Sequence, residues 1–383
     1  MGAIKFQRFA NGYLKFQLLT MNSQLHEFHH SLGARFTTIN GAEIVADYGD
    51  SLAEHAALRT VAGVLDLSSR SRICLVGADR ARFLHGQVTN DVKKLVPGSG
   101  TYATVTTAKG KMEADLNIFC LADELLLDSE PGLTEKITQR LEKFIVADDV
   151  QIVDAAPHYG LLTVQGPRAI EVVRALGLPG DSEPPARAYQ SLKIADAMLG
   201  ELYLVNLPRL ETVGFDLFVP NDSLGAVADK LIGAARQIGG RAVGWTAFEI
   251  ARIEAGRPRF GADMDETNIP LECGLEARAV SYSKGCYIGQ EVINRIHSVG
   301  HVNRELRGLR LADTLPALPA RGDKLFHAGK EVGYVTSAVA SPGLQANIAL
   351  GYVRREVDGV GVELTLHSAG GESVARIVPL PFV

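Results

Sequence analysis

Cysteine is scarce in this chain, with four in 383 residues. Cys74, Cys120, Cys273 and Cys286 lie far apart, so they form neither a disulfide framework nor a CxxC metal knuckle, and a reducing cytoplasm is the compartment this usage implies. Long apolar runs are missing too. Nothing approaches the roughly 18 consecutive apolar residues of a spanning helix, so no membrane insertion is expected. Positive charge is not in excess: 39 Lys and Arg face 44 Asp and Glu, a net charge of -5. That balance lacks the basic field by which nucleic-acid and anionic-membrane binders release counterions, and no direct nucleic-acid binding is expected. The first twenty residues carry Lys5, Arg8 and Lys15 without an acid, but not the apolar centre or cleavage site of a secretory signal. Residues 1–24 therefore read as an extension, with Met21 an equally good start.

What is present is globular material, 46% hydrophobic and 22% charged, enough for two or three cores. Arg72 to Val76 and Thr101 to Thr107 read as strands, and Asp79 to Leu84 and Leu133 to Phe144 as helices. The breaker-rich run Leu178 to Pro185 reads as a solvent loop. Thr246 with Glu249 three residues on predicts a capping box, and Gly256 with Pro258 a helix stop. After Arg304, short strands punctuated by Pro and Gly indicate a compact β-rich terminal domain.

Several motifs bear on chemistry. His26-Glu27-Phe28-His29-His30 matches HExxH, but no third ligand follows, and a short polar helix explains it; no metal is expected. In Lys284-Gly285-Cys286-Tyr287-Ile288-Gly289-Gln290-Glu291, two glycines bracket a cysteine with a cation two residues before it. A nearby ammonium favours the thiolate, so Cys286 is a candidate nucleophile supported by Lys284, against the alternative of a small packed side chain. In the strand Val213 to Pro220, alternation sets Phe215, Leu217 and Val219 on one face and Asp216 on the other. A carboxylate there either accepts the paired N–H donors of an amidine-like edge or pairs with an arginine. Arg252, ending the predicted helix, either clamps a ligand carboxylate or answers the helix dipole. Glu113 and Asp115 follow a predicted strand and read equally well as turn residues.

Taken in order, these segments resemble the T-protein of the glycine cleavage system over nearly the whole chain from His26. The landmarks are His26 to Arg35, Tyr48-Gly49-Asp50, Leu65-Asp66-Leu67-Ser68, Asn90-Asp91-Val92, Gly110 to Asp115, Gly214-Phe215-Asp216, Arg252 to Pro258, Pro270 to Leu275 and Val335-Thr336-Ser337. The Lys284 to Glu291 segment resembles the KGCYxGQE signature of the YgfZ-like branch, folate-binding proteins implicated in iron-sulfur protein assembly or repair and linked tRNA modification. The resemblance implies an α+β fold, a three-subdomain cloverleaf with a C-terminal β-barrel-like domain. Its divisions fall at 25–72 with 156–265 (folate-binding), 73–155, a connecting segment 266–304 and 305–383.

The resemblance also implies tetrahydrofolate or a one-carbon derivative in the central opening, contacted by Asp216, Arg252, Asn90 and Tyr287, with Cys286, Lys284 and Asp115 as the catalytic set. Iron-sulfur proteins or their assembly factors are the partners it implies. T-proteins carry paired aspartates after a Gly-Gly turn, the first of them assisting methylene transfer. Here the pair is Ala114-Asp115, which argues against glycine cleavage. An aminomethyltransferase or demethylase acting on an amine or a lipoyl carrier, and a non-enzymatic adaptor, are the rival readings; turnover is left open.

Overall fold

The computed structural model describes residues 24–177 and 182–383. The extension with Met21 and the first half of the Leu178 to Pro185 loop lie outside the described residues. Two antiparallel-rich sheets and a closed barrel organise the remainder. The six-stranded sheet runs Ser191–Asp196, Gly200–Asn206, Gly214–Pro220, Tyr159–Gln165, Gly63–Asp66, Arg241–Ala242, with only the last pair parallel. The five-stranded sheet runs Ser99–Thr106, Met112–Cys120, Glu124–Ser129, Ser71–Val76, Gln151–Asp154. It is inserted in the chain between two adjacent strands of the first sheet, Gly63–Asp66 and Tyr159–Gln165.

Each sheet follows the same rule of burial, since period-two alternation hands one face to helices and the other to the neighbouring sheet. Phe215, Leu217 and Val219 pack with Val227, Leu231 and Val172 of the helices Leu224–Gln237 and Ala169–Arg174. Ala114, Leu116 and Ile118 pack with Phe83, Leu84, Ile137 and Leu141 of the helices Arg80–Gln87 and Thr134–Glu142. The opposite faces meet each other: Phe119 and Phe218 stand edge to face at 5.6 Å between ring centroids, with Leu67, Leu161 and Val205 around them. Beyond that apolar seam the facing residues turn polar, and a cavity opens.

The helix Trp245–Glu254 forms one wall of it. The expected capping box is not made: Gly244 is the N-cap, without a side-chain cap bond, and Thr246 lies inside the first turn. Glu249 is drawn away to Arg252 one turn on, at 2.6 and 2.9 Å. The helix does stop at Gly256, whose φ of +64° suits glycine, and a Cβ there would press on Leu380.

The C-terminal barrel is closed by six strands: Arg304–Leu311, Ala346–Arg354, Lys330–Ser341, Lys324–His327, Glu363–Ser368 and Gly371–Val378. Closure leaves no free sheet edge. Its core is Leu309, Leu325, Val335, Val353, Leu364, Leu366 and Ile377. His26, His29 and His30 of the HExxH run sit on a short helix, where His26 pairs with Glu43 at 2.7 Å and His29 with Asp66 at 3.0 Å. Among the described residues no helix is long and apolar enough to cross a membrane.

Candidate functional site

The cavity between the sheets has a volume of about 450 Å³, within the range of small-molecule sites. Its aromatic walls are Tyr102, Tyr189, Trp245 and Phe248, and six arginines line it: Arg70, Arg209, Arg252, Arg257, Arg259 and Arg278. A larger groove of about 730 Å³ on the barrel is lined by Arg304, Arg354 and Arg355. Arg354 and Arg355 are exposed there, whereas the central cavity holds a half-buried carboxylate with one shielded, unpartnered oxygen.

That carboxylate is Asp115. On the strand Met112–Cys120, Ala114, Leu116 and Ile118 face the helices, so Asp115 and Asn117 face the cavity. Tyr102 donates its hydroxyl to Asp115 Oδ2 at 2.8 Å, while Oδ1 is buried without a hydrogen-bond partner. Burial, joined by the charge of Glu130, pushes the carboxyl up to about 6 despite the Tyr102 bond and the field of Arg70. A half-buried acid raised to about 6 with one oxygen free is suited to carrying a proton. This geometry corrects the expectation drawn from Ala114. Residue 114 points into the helix-facing core, 1% exposed, where a carboxylate would be stranded in an apolar layer. The residue that reaches the cavity is present.

Of the four residues expected to contact a folate, only Arg252 lines the cavity, and its guanidinium is already engaged by Glu249 at 2.6 Å and Asp263 at 2.7 Å. Asp216 is fully buried behind Arg209, which reaches both its oxygens from Nε at 3.1 Å and Oδ2 from Nη2 at 2.6 Å. Arginine pairing, one of the two readings open for it in the sequence, is the arrangement found, because a carboxylate with no access to water needs a cation. Arg209 also reaches Asp128 at 3.0 Å. Burial pushes Asp128 up, but Arg70 and Arg209 outweigh it and hold it at about 2. Asn90 ties loops together, donating to Thr101 Oγ1, the Tyr102 carbonyl and the Arg278 carbonyl. Tyr287 packs with Val280 and Ile293, away from the cavity.

Lys284 and Cys286 are also outside the cavity. Cys286 is exposed, in contrast to the other three cysteines. Lys284 is buried, and its ammonium donates to the carbonyls of His85 (2.6 Å), Val88 (2.6 Å) and Asn90 (2.8 Å). Desolvation pushes it down to about 7. The expected ammonium–thiolate pairing gives way to a three-point tie between loop and sheet domain. Gly289 is required in the same motif: at φ +93° its Cβ would lie 2.6 Å from both Thr106 Oγ1 and the Thr107 carbonyl.

Tyr102, Tyr189, Glu130, Arg257 and Arg278 are cavity residues that the sequence did not single out. Tyr102 had a signal, since it sits opposite Asn117 in the strand pairing and so shares its face. Arg278 had none. It lies on a short helix, Glu276–Ala279, and rests its guanidinium 5.0 Å from the centre of the Tyr102 ring.

Residues 25–284 match the GCVT N-terminal domain and residues 304–383 the glycine cleavage T-protein C-terminal barrel domain. The aminomethyltransferase of Mycolicibacterium paratuberculosis is 29% identical over 95% of this chain and 97% of its own length. That of Geobacillus thermodenitrificans is 30% identical over 91% and 94%. The crystal structure of the glycine cleavage system aminomethyltransferase T from Bartonella henselae superposes with a TM-score of 0.86 at 25% identity, covering 95% of this chain and 98% of that one. With both domain families matched in order, and the fold shared over 95% of the chain, the chain belongs to the glycine cleavage T-protein family.

Proposed function

We propose that this protein is a folate-dependent one-carbon transferase of the aminomethyltransferase type, working in the cytoplasm, with Asp115 as its proton carrier. The observation that carries the reading is the Asp115 carboxyl, half-buried in the central cavity with Oδ1 shielded and unpartnered and its pKa raised to about 6. Tetrahydrofolate supplies the pair of nitrogens that receive the one-carbon unit. The cavity suits it: Tyr102, Tyr189, Trp245 and Phe248 offer ring faces, and Asp115 Oδ1 offers an acceptor for a ring N–H. Arg278, lying on an aromatic face at the rim rather than on a carboxylate, is free to meet a glutamate tail. Asp216 does not enter the contact set while Arg209 holds it.

In this reading Asp115 accepts the proton that the attacking nitrogen loses. Titrating near neutrality, it returns that proton to the departing amine or thiol, which is the work a general acid–base group does at matched pKa. Tyr102 fixes the carboxyl orientation by holding Oδ2. Trp245 and Phe248 exclude water from the same space.

One observation favours a second reading. Cys286 is exposed in a fixed loop outside the cavity, and the YgfZ-like accessory role in iron-sulfur protein assembly or repair would use that loop on a partner protein. A single thiolate gives a cluster at most one protein ligand, so any cluster would need a second source.

Calorimetric titration with tetrahydrofolate, followed by an assay of methylene transfer from an aminomethylated lipoyl carrier protein, separates the two. Saturable binding with transfer lost in Asp115→Asn and kept in Cys286→Ser supports the transferase. The reverse pattern, with complementation of an iron-sulfur defect depending on Cys286, favours the accessory role. Absence of folate binding in the unaltered protein overturns both.

A further inference from the structure

A second cavity, of about 530 Å³, lies where the barrel meets the end of the helix Trp245–Glu254. Glu211, Arg257, Pro258 and Arg278 line this cavity and the central one alike, so these four residues form a sill between the two. Past the sill, the walls come from the barrel strand Arg304–Leu311 and from the loop that carries the exposed Val360. Its volume, like that of the central cavity, suits a small ligand or an extension of one.

The two sill arginines are short of partners. Arg257 stands against Glu211, but its Nε is buried without an aligned hydrogen bond, and Nη2 reaches the Pro208 carbonyl only at 3.5 Å. Arg278 rests on the Tyr102 ring, and among the described residues no carboxylate pairs with it. Burial first, and then the charge of Arg278, push the Arg257 guanidinium below its ordinary range against the pull of Glu211. Two guanidiniums thus press on each other with one carboxylate to answer them, an arrangement that an incoming anion relieves. Arg307, deeper in the second cavity, is the contrast: Glu305 at 2.7 Å and Asp358 at 2.5 Å already answer it.

We propose, resting on the folate reading of the central cavity, that the second cavity is the subsite for a γ-linked oligoglutamate chain carried by the folate, with Arg257 as the residue that selects it. The first glutamate meets Arg278 at the rim. A second, joined through the γ-carboxyl of the first, carries its own carboxylates over the sill to Arg257, and a longer chain lies along the second cavity. Each added residue brings one more negative charge. The surplus positive charge sits at the sill and not beyond it, because Arg307 is already paired. The gain in affinity therefore comes with the second glutamate and levels off after it.

The test is calorimetric titration of the full chain with the mono-, di- and pentaglutamate forms of tetrahydrofolate, at low ionic strength and at about 0.5 M salt. The diglutamate is expected to bind about tenfold tighter than the monoglutamate, with the pentaglutamate within about threefold of the diglutamate. High salt should shrink the gain. In Arg257→Gln the ratio of diglutamate to monoglutamate affinity should fall to within about threefold of one. Val360→Glu sets a repelling charge in the second cavity, off the sill, and should lower the same ratio; it carries the test if Arg257→Gln fails to fold. Saturable monoglutamate binding with no gain for the longer forms overturns the oligoglutamate subsite and leaves the folate cavity standing. So does a gain that neither substitution lowers. Absence of binding by every form overturns the folate reading itself, and the subsite with it.

Discussion

Two sheets face each other across the central cavity, and each turns an acid toward the seam between them. From the six-stranded sheet comes Asp216, from the five-stranded sheet Asp115. Both sit mid-strand and both point away from the helices; Asp216 is fully buried, and Asp115 is half-buried with Oδ1 shielded. Their chemistry diverges because of one neighbour. Asp216 meets the Arg209 guanidinium with both oxygens and is neutralised where it stands. Asp115 meets only a phenol, on one oxygen, and is left to titrate. Burial alone therefore does not mark an active carboxylate. What marks it is burial without a full set of partners.

Removing each acid in turn is the sharpest way to break this comparison. Asp216→Ala leaves Arg209 with only Asp128 for charge compensation. Breaking a buried pair from one side typically costs about 3–5 kcal/mol, so urea denaturation should show a loss of that size with the slope unchanged. Asp115→Asn should do the opposite. It removes a carboxyl whose ionised form the fold disfavours, so stability is kept or rises at neutral pH, while methylene transfer falls by at least about 100-fold with folate affinity kept within a few-fold. If the two variants exchange phenotypes, the assignment of one acid to structure and the other to chemistry is wrong.

The architecture was largely legible in the sequence. Alternation in Gly214–Pro220 separates Phe215, Leu217 and Val219 from Asp216 correctly, and the change of character after Arg304 marks the barrel, because strand period and turn residues are local signals. The site was legible only in part, because its assignments depend on what lies across the cavity. The Ala114-Asp115 pair invited an argument from a missing acid, yet counting strand faces from the buried Leu116 and Ile118 would have placed position 114 in the core. Asp216 looked available for a ligand because Arg209, seven residues away, folds back onto it through a turn that no periodicity announces. Lys284 looked like a partner for Cys286, two residues on, but its ammonium reaches carbonyls about 200 positions earlier in the chain.

The rim sharpens the same contrast between paired and unpaired charge. Arg252 is locked by Glu249 and Asp263, whereas Arg278 lies on the Tyr102 ring. Arg278→Ala should weaken tetrahydrofolate binding about tenfold, roughly 1.4 kcal/mol, and the loss should shrink at high salt because the contact is exposed. The melting temperature should not move. Titration of the variant at two ionic strengths checks both parts.

The smallest effect expected is also the most specific to Asp115. Tyr102 donates to Asp115 Oδ2, and a hydrogen bond to the charged form lowers a carboxyl's proton affinity. Tyr102→Phe removes that bond and keeps the ring under Arg278. The carboxyl, already raised to about 6, should then rise by roughly a further unit, about 1.4 kcal/mol. Since the ionised form is the one that accepts the proton, the acid limb of the transfer rate moves to higher pH by the same amount, while the plateau above it stays within a few-fold. The sign for stability is set by linkage: with a native value above the unfolded one, the folded chain holds its proton longer, and stability from this group declines as pH rises from about 4 through the native value. In Tyr102→Phe that decline should extend about one unit further. An acid limb that stays in place, or moves to lower pH, would mean that a group other than Asp115 carries the proton.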